Sequence, residues 1–260
     1  MTHAHFVVNH KPAYALNSVD RALKIVQLLR DRGAMRLSDI ASELDVSPST
    51  AHRLLAMLAY RGFAQQAESK IYEPGPGLGA PPTRTFLTDT SRARVQRILD
   101  EGAADLHGRI NIGVLSRLNV RVVASSRSAD SFDSTGVVLR ADISAMGQAI
   151  LATMADEDLR ALYFPGGREL ITHAAFGELV RRLNATRNAG YAINRNATTM
   201  DTSSVACVIR DGDRRVVAAS SVTVPSAMFD DLLADGAVPR LRAVATRLSE
   251  TIWRTHLKHA

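Results

Sequence analysis

The sequence predicts an α+β chain of two units: a small helical unit ending in a two-stranded wing and, beyond a linker helix, an antiparallel-sheet unit. Three observations predict it. Residues 18–61 repeat apolar side chains at three- and four-residue spacing in three separate segments, and two short extended runs follow. Residues 74–82 then crowd Pro74, Gly75, Pro76, Gly77, Gly79, Pro81 and Pro82 into a stretch that neither helix nor strand can cross. Beyond residue 111 the apolar period switches to two, with helical segments in between. The expected boundaries are 14–77 for the first unit, 78–107 for the linker and linker helix, and 108–260 for the second.

The first segment, 18–32, places Val19, Ala22, Leu23, Val26 and Leu29 on one face, with Ser18 as N-cap and Gly33 at its left-handed end. Residues 38–44 form a shorter helix burying Ile40, Ala41 and Leu44. Asp45, Val46 and Ser47 make a tight connection to a third helix, opened by Pro48, whose fixed φ suits a first helical position, and capped by Ser47. It continues to Arg61 and stops at Gly62. Residues 63–66 and 71–73 read as the two strands of a wing around a polar tip, 67–70.

After the breakers, a helix from Thr88 or Asp89 to Leu106 carries Val95, Ile98, Leu99 and Leu106 as an apolar stripe that needs cover. Residues 112–115 and 120–124 read as strands, 146–154 and 176–188 as helices. Residues 205–210 and 216–224 form a hairpin around Asp211, Gly212 and Asp213, and 238–256 is a closing helix.

Length and composition bound the classes of function. At 260 residues the chain has room for two domains, each able to bury a core. With 46% hydrophobic and 22% charged residues the composition is that of ordinary globular protein, which sets disorder aside. A formal charge of +6 admits nucleic acid as a partner without demanding it. Cys207 is the sole cysteine, so there is no internal disulfide and no thiolate pair for zinc or redox work. That favours a reducing compartment, the cytoplasm. Residues 1–14 hold His3, His5 and His10 but no apolar signal core, and nothing approaches the roughly 18 consecutive apolar residues of a membrane span. No cofactor or metal is expected.

A short helix, a tight turn and a second helix form a winged helix-turn-helix, which lays the second helix in the major groove of DNA. On that helix Leu54, Leu55 and Leu58 pack inward, leaving Ser49, Thr50, His52 and Arg53, with Met57, on the outward or N-terminal side. Arg pairs bidentately with guanine, and Ser and Thr bond bases or phosphate. The helix start at Ser47 to Ser49 offers free amides to a phosphate, while Arg36, Arg61 and Lys70 are candidates for flanking phosphates. Taken one at a time, such residues are as often solvated helix surface as readers of DNA. The pattern carries the inference, not the charge.

The run SVDRALKIVQLL, then LSDIASELDVSPSTAHRLLAMLAYRGF, closely resembles the winged helix-turn-helix of the IclR family of bacterial transcriptional regulators, most distinctively at Ser49 to Leu55 and Arg61 to Phe63. Weaker landmarks extend the resemblance over nearly the whole chain: S-x-M-G-x-x-x-L-A from Ser144, A-G-Y-A from Ala189 and S-x-T-x-P from Ser221. The resemblance implies a GAF-like second domain with a six-stranded antiparallel sheet, an effector pocket, and dimers or tetramers. It also implies that backbone amides of Ser144, Ala145, Met146 and Gly147 hold an effector carboxylate, with Cys207, Ser221 and Thr223 lining the pocket. The S-x-M-G form is similar to the branch regulating aromatic acid catabolism, which implies an aromatic or other small organic carboxylate. Where many relatives place an acid and, four residues on, a glycine, this chain has Ala197 and Asp201.

An independent physical argument points to the same anion site, since a glycine beside a helix start presents unpaired N–H groups. The plain alternative is that Gly147 only lets helices pack closely. Likewise Cys207 can be an ordinary buried small residue. An enzyme is the competing class, but Ser126, Ser203 and Cys207 stand in no nucleophile motif, and the histidines lie mostly in the termini. A third reading has the winged helix contact protein rather than DNA. The expected partners are operator DNA, a small organic acid and further copies of this chain.

Overall fold

The computed structural model of this chain describes residues 16–67, 70–78, 89–127 and 133–256. His3, His5 and His10, the wing-tip residues Glu68 and Ser69, breaker residues 79–82 and the candidate cap Thr88 lie outside them. The chain divides into two compact units, Met1–Gly79 and Ala80–Ala260.

In the first unit α1 (Asn17–Arg32), α2 (Leu37–Glu43) and α3 (Pro48–Tyr60) enclose Ile25, Leu29, Ile40, Ala51, Leu55 and Leu58. Two expectations for α1 are corrected. Its buried stripe is centred on Ile25 and Leu29, while Val19 and Leu23 are exposed, because two adjacent stripes of this helix both satisfy three- and four-residue spacing. Ser18 lies inside the helix: the Leu16 carbonyl already accepts the Asp20 N–H at 3.0 Å, so the helix begins upstream of it. At the other end Gly33 has φ +78 and donates its N–H to Leu29 O at 3.0 Å, although its ψ of −135 is not that of a left-handed helix.

The wing has three strands rather than two. β1 (Met35–Arg36), β2 (Ala64–Gln66) and β3 (Ile71–Pro74) lie in the order β1-β3-β2, with Met35 opposite Tyr72 and Arg36 opposite Ile71. Two residues are too few for alternation to be read from sequence.

In the second unit α4 (Asp89–Leu106) precedes β4 (Arg109–Ser116), β5 (Asn119–Ser125) and β6 (Val138–Arg140), then α5 (Ala145–Leu151), α6 (Asp156–Tyr163) and α7 (His173–Ala189). β7 (Ala192–Arg195), β8 (Thr202–Arg210), β9 (Val216–Pro225), α8 (Phe229–Ala234) and α9 (Ala237–His256) complete it. The six strands form one antiparallel sheet, β6-β5-β4-β9-β8-β7.

Each sheet face carries its own apolar core. On one, Ile110, Ile112, Val205, Cys207, Ile209 and Val222 pack against α4, α8 and α9. On the other, Val120, Val122, Ala192, Ala206 and Ala219 pack against α5, α6 and α7. The stripe of α4 needs no second chain for cover, since Val95, Ile98, Leu99 and Leu106 are buried with Leu241, Val244, Leu248 and Ile252 of α9. Each such side chain contributes about 1.5–3 kcal/mol by leaving water.

Helix α5 ends at Leu151 rather than 154 because the chain tightens there, with Thr153 N–H bonded to Ile150 O at 3.0 Å. Helix α7 starts at His173, three residues before the apolar pattern begins, because Thr172 Oγ1 accepts the Ala175 N–H at 3.2 Å.

Candidate functional site

In the first unit the turn ahead of α3 sets how that helix is presented. The turn from α2 to α3 is closed by Val46 N–H on Ala41 O at 3.0 Å, with Asp45 at φ +50. Ser47 Oγ then accepts the Thr50 N–H at 3.3 Å and lies 2.9 Å from Thr50 Oγ1 and 3.0 Å from Ser49 Oγ. Ser47 therefore acts as the cap and holds the two hydroxyls beside it. Ser49, His52, Arg53 and Met57 are exposed on α3, and Thr50 is half-buried. Leu55 and Leu58 are buried beneath them, and Leu54 is partly so.

Arg36 and Lys70 are both exposed, and β1 brings them together: Arg36 opposes Ile71, the residue after Lys70, which has φ +61. Arg61 lies over the Tyr60 ring at 5.7 Å, at the end of α3. A helix face ending in Arg and flanked by wing cations can enter a groove and clamp its phosphates.

In the second unit the register assembles two polar rows on the face beneath α5, because directly opposed residues in antiparallel strands point the same way. One row runs Asn194, Ser204, Thr223, Arg109; the next runs Ala192, Ala206, Ser221, Asn111, Ser125. Asn194 Nδ2 donates to Ile143 O at 2.8 Å, fixing the chain just ahead of α5. Asn111 Oδ1 accepts from Ser125 Oγ at 2.9 Å. Arg109 donates through Nη1 to Ser134 Oγ at 3.1 Å, while its Nε is buried with no hydrogen-bond partner among the described residues.

Small residues let the helix approach: Met146 lies over Gly113, where an added Cβ would come within 2.8 Å of its sulfur. Ser144 caps α5 by accepting the Gly147 N–H at 3.1 Å. The amides of Ala145 and Met146, one turn too early for an intrahelical bond, remain as donors.

Of the expected ligand contacts, Ser144, Ala145, Met146, Ser221 and Thr223 share this side of the sheet. Two do not fit as expected. Gly147 is committed to packing and capping, since a Cβ there would sit 2.2 Å from Ala141 O and its N–H is held by Ser144. Cys207 points through the other face, opposite Ser220 and into the core under α9, because it is an odd number of residues from Ser204 and Ala206. Burial pushes its thiol up to about 11, against the opposing pull of Arg242. Sequence reasoning missed Arg109, Asn111, Ser204 and Asn194; of these, only their alternation with buried apolar neighbours signals them. Among the described residues no three His, Cys, Asp or Glu side chains gather to hold a metal, and no helix is long and apolar enough to cross a membrane.

Comparison with known proteins decides between the classes. The IclR helix-turn-helix domain matches residues 18–68, and the description "Bacterial transcriptional regulator IclR C-terminal" matches residues 90–250. The chain belongs to the IclR family. It is 30% identical over 233 residues to the glycerol operon regulatory protein of Streptomyces griseus, covering 85% of this chain and 89% of that one. Its fold is similar to that of the IclR family transcriptional regulator from Brucella abortus, with a TM-score of 0.56, 20% identity, and 91% of this chain and 93% of that one covered. Its fold is also similar to that of a double mutant of the inducer-binding domain of the PobR transcription factor from Acinetobacter, solved as a complex with 3-hydroxybenzoic acid. There the TM-score is 0.52 and the identity 19%, over 60% of this chain and 96% of that one. IclR members are transcriptional regulators rather than enzymes, with a DNA-binding unit and an effector-binding unit, and this chain has both parts in that order.

Proposed function

We propose that this IclR-family regulator reads an operator through Arg53, Ser49, Thr50 and His52 of α3, with Arg36 and Lys70 on flanking phosphates. Its second unit senses an elongated organic acid on the polar face beneath α5. The observation that carries the sensor reading is the buried, unpartnered Nε of Arg109 at one end of a row of hydroxyls and amides. A buried guanidinium donor without an acceptor is costly unless a ligand supplies one.

At the strand spacing of about 4.8 Å, Arg109 lies some 14 Å across the sheet from Asn194 and the α5 start. A ligand lying along that row has its carboxylate toward the amides of Ala145 and Met146 and a second acceptor toward Arg109, whose long side chain takes up part of the span. A hydroxybenzoate or a dicarboxylate has this form, and the PobR domain named above was solved with such an acid.

The chain acts as a homodimer or homotetramer, because one small winged helix covers too little DNA for a regulator's specificity. Light scattering of the purified protein gives a mass at least twice 28.2 kDa on this reading. Titrating the protein with 3-hydroxybenzoate and with aliphatic dicarboxylates, alone and on its own promoter DNA, tests the sensor. Saturable binding that Arg109→Gln weakens and that shifts DNA affinity supports it; binding indifferent to Arg109 removes it.

A further inference from the structure

A cleft of ≈ 540 Å³ opens on the second unit where α5 and α7 end beside β8. It lies beyond the polar rows: Val208 and Arg210, which line it, are two and four residues further along β8 than Ala206 of the nearer row, about 7 and 13 Å at strand rise. A smaller hollow of ≈ 300 Å³ shares Gly190, Val208, Arg210 and Arg242 with it.

The cleft is cationic. Its lining includes Arg187, Arg210 and Arg242 and no acidic side chain among the described residues. Their recorded bonds go mainly to uncharged oxygens. Arg187 donates to Ala152 O at 2.8 Å, Met154 O at 3.2 Å and Asn184 Oδ1 at 2.8 Å, and the carboxylate of Asp156 is 3.8 Å away. Arg210 donates through Nη1 to Arg214 O at 2.9 Å. Arg242 donates through Nη2 to Ala189 O at 3.0 Å and Gly190 O at 3.4 Å, and also meets the Cys207 thiol. Gly190 makes room for it: its φ is +73, and a Cβ there would lie 2.8 Å from Arg242 Nη2. A guanidinium has five N–H donors, so Arg210 and Arg242 both keep donors to spare, and carbonyl contacts leave their charge uncompensated.

The sheet also leaves its edge open here. β7 begins at Ala192, opposite Ala206, so from Cys207 onward β8 has no strand neighbour on that side, although Ser249 Oγ of α9 donates to the Arg210 carbonyl. The Thr202 carbonyl accepts the Asn196 N–H on the β7 side, and the two-residue period turns the backbone groups of Val208 the same way.

We propose that this cleft is a second ligand site, taking a small organic oxyanion, carboxylate or phosphate, between Arg210 and Arg242 with its body against Tyr191 and Val208. Its volume suits a metabolite, and paired guanidinium forks match oxyanion geometry. Ala149, Ala152 and Thr153 of the α5 end also line it, so one helix of about 10 Å joins this site to the polar rows under its start.

Calorimetry of the full chain with inorganic phosphate and, separately, with citrate tests the proposal. Saturable binding of at least one anion is expected, weakened about tenfold or more by Arg210→Gln and by Arg242→Gln; it persists in Thr223→Val, which lowers only the separate carboxylate binding of the polar rows. Phosphate alone assigns a phosphoryl ligand, citrate alone a carboxylate, and both a general oxyanion site. If Arg242→Gln unfolds, Arg210→Gln and Thr186→Glu, which sets an acid on the rim, decide. No saturable binding of either anion, binding indifferent to these variants, or binding abolished by Thr223→Val overturns the proposal.

Discussion

Cys207 and Ser221 sit on paired neighbouring strands yet face opposite sides of the sheet, Ser221 beneath α5 and Cys207 beneath α9. Cys207 is 3% exposed, and burial raises its thiol from an ordinary 9.0 to about 11. The folded protein therefore resists iodoacetamide at pH 8, and the thiol reacts fully only after denaturation. A raised thiol pKa stabilises the fold below pH 9, and that contribution is lost as pH rises through about 11. Cys207→Ala leaves any carboxylate response intact. Rapid labelling of the native protein, or loss of the response, places Cys207 in the pocket after all.

On the other face, Ser221 and Thr223 belong to the polar rows. Ser221→Ala and Thr223→Val each cost about 1–3 kcal/mol of carboxylate binding where the hydroxyl bonds the ligand, with operator binding in the absence of ligand unchanged. Calorimetry and a mobility shift on the same preparations separate the two effects. Unchanged ligand affinity in both variants moves the site off these rows.

Gly147 permits α5 to lie against the backbone of Ala141, 2.2 Å from where a Cβ would stand. Gly147→Ala is therefore expected to destabilise the second unit by about 1–3 kcal/mol or more through overpacking, measured by thermal melting. A melting temperature equal to that of the unaltered protein contradicts this packing role. The same clash makes any loss of ligand binding in this variant a consequence of a displaced helix.

The first unit was legible in sequence because its signals are local. Pro48 after Ser47, Gly62 after Arg61 and the leucines at 54, 55 and 58 mark α3 without reference to any distant residue. Leu16, Val19 and Leu23 show the limit of periodicity: it marks a helix but does not say which of two adjacent stripes is buried, and that depends on α3 and the wing. The polar rows were harder to read. Arg109, Asn111, Ser204 and Asn194 come from four strands and meet only through the register, which no single segment encodes. Cys207 was misplaced for the same reason, since a shift of one or three residues along β8 exchanges the two faces.

On the proposed function, α3 reads a specific operator and a ligand in the second unit alters that reading. The most direct test is fluorescence anisotropy on the protein's own promoter DNA with excess nonspecific competitor, for the unaltered chain and for Arg53→Ala and Lys70→Ala, with and without 3-hydroxybenzoate or a dicarboxylate. Arg53→Ala should cost about 1–3 kcal/mol and relax base preference, while Lys70→Ala weakens all sequences alike and lowers the salt slope by about one contact. The acid should shift operator affinity by about 1–3 kcal/mol in the unaltered chain. Specific binding untouched by Arg53→Ala, together with affinity that no acid changes, would contradict both halves of the claim.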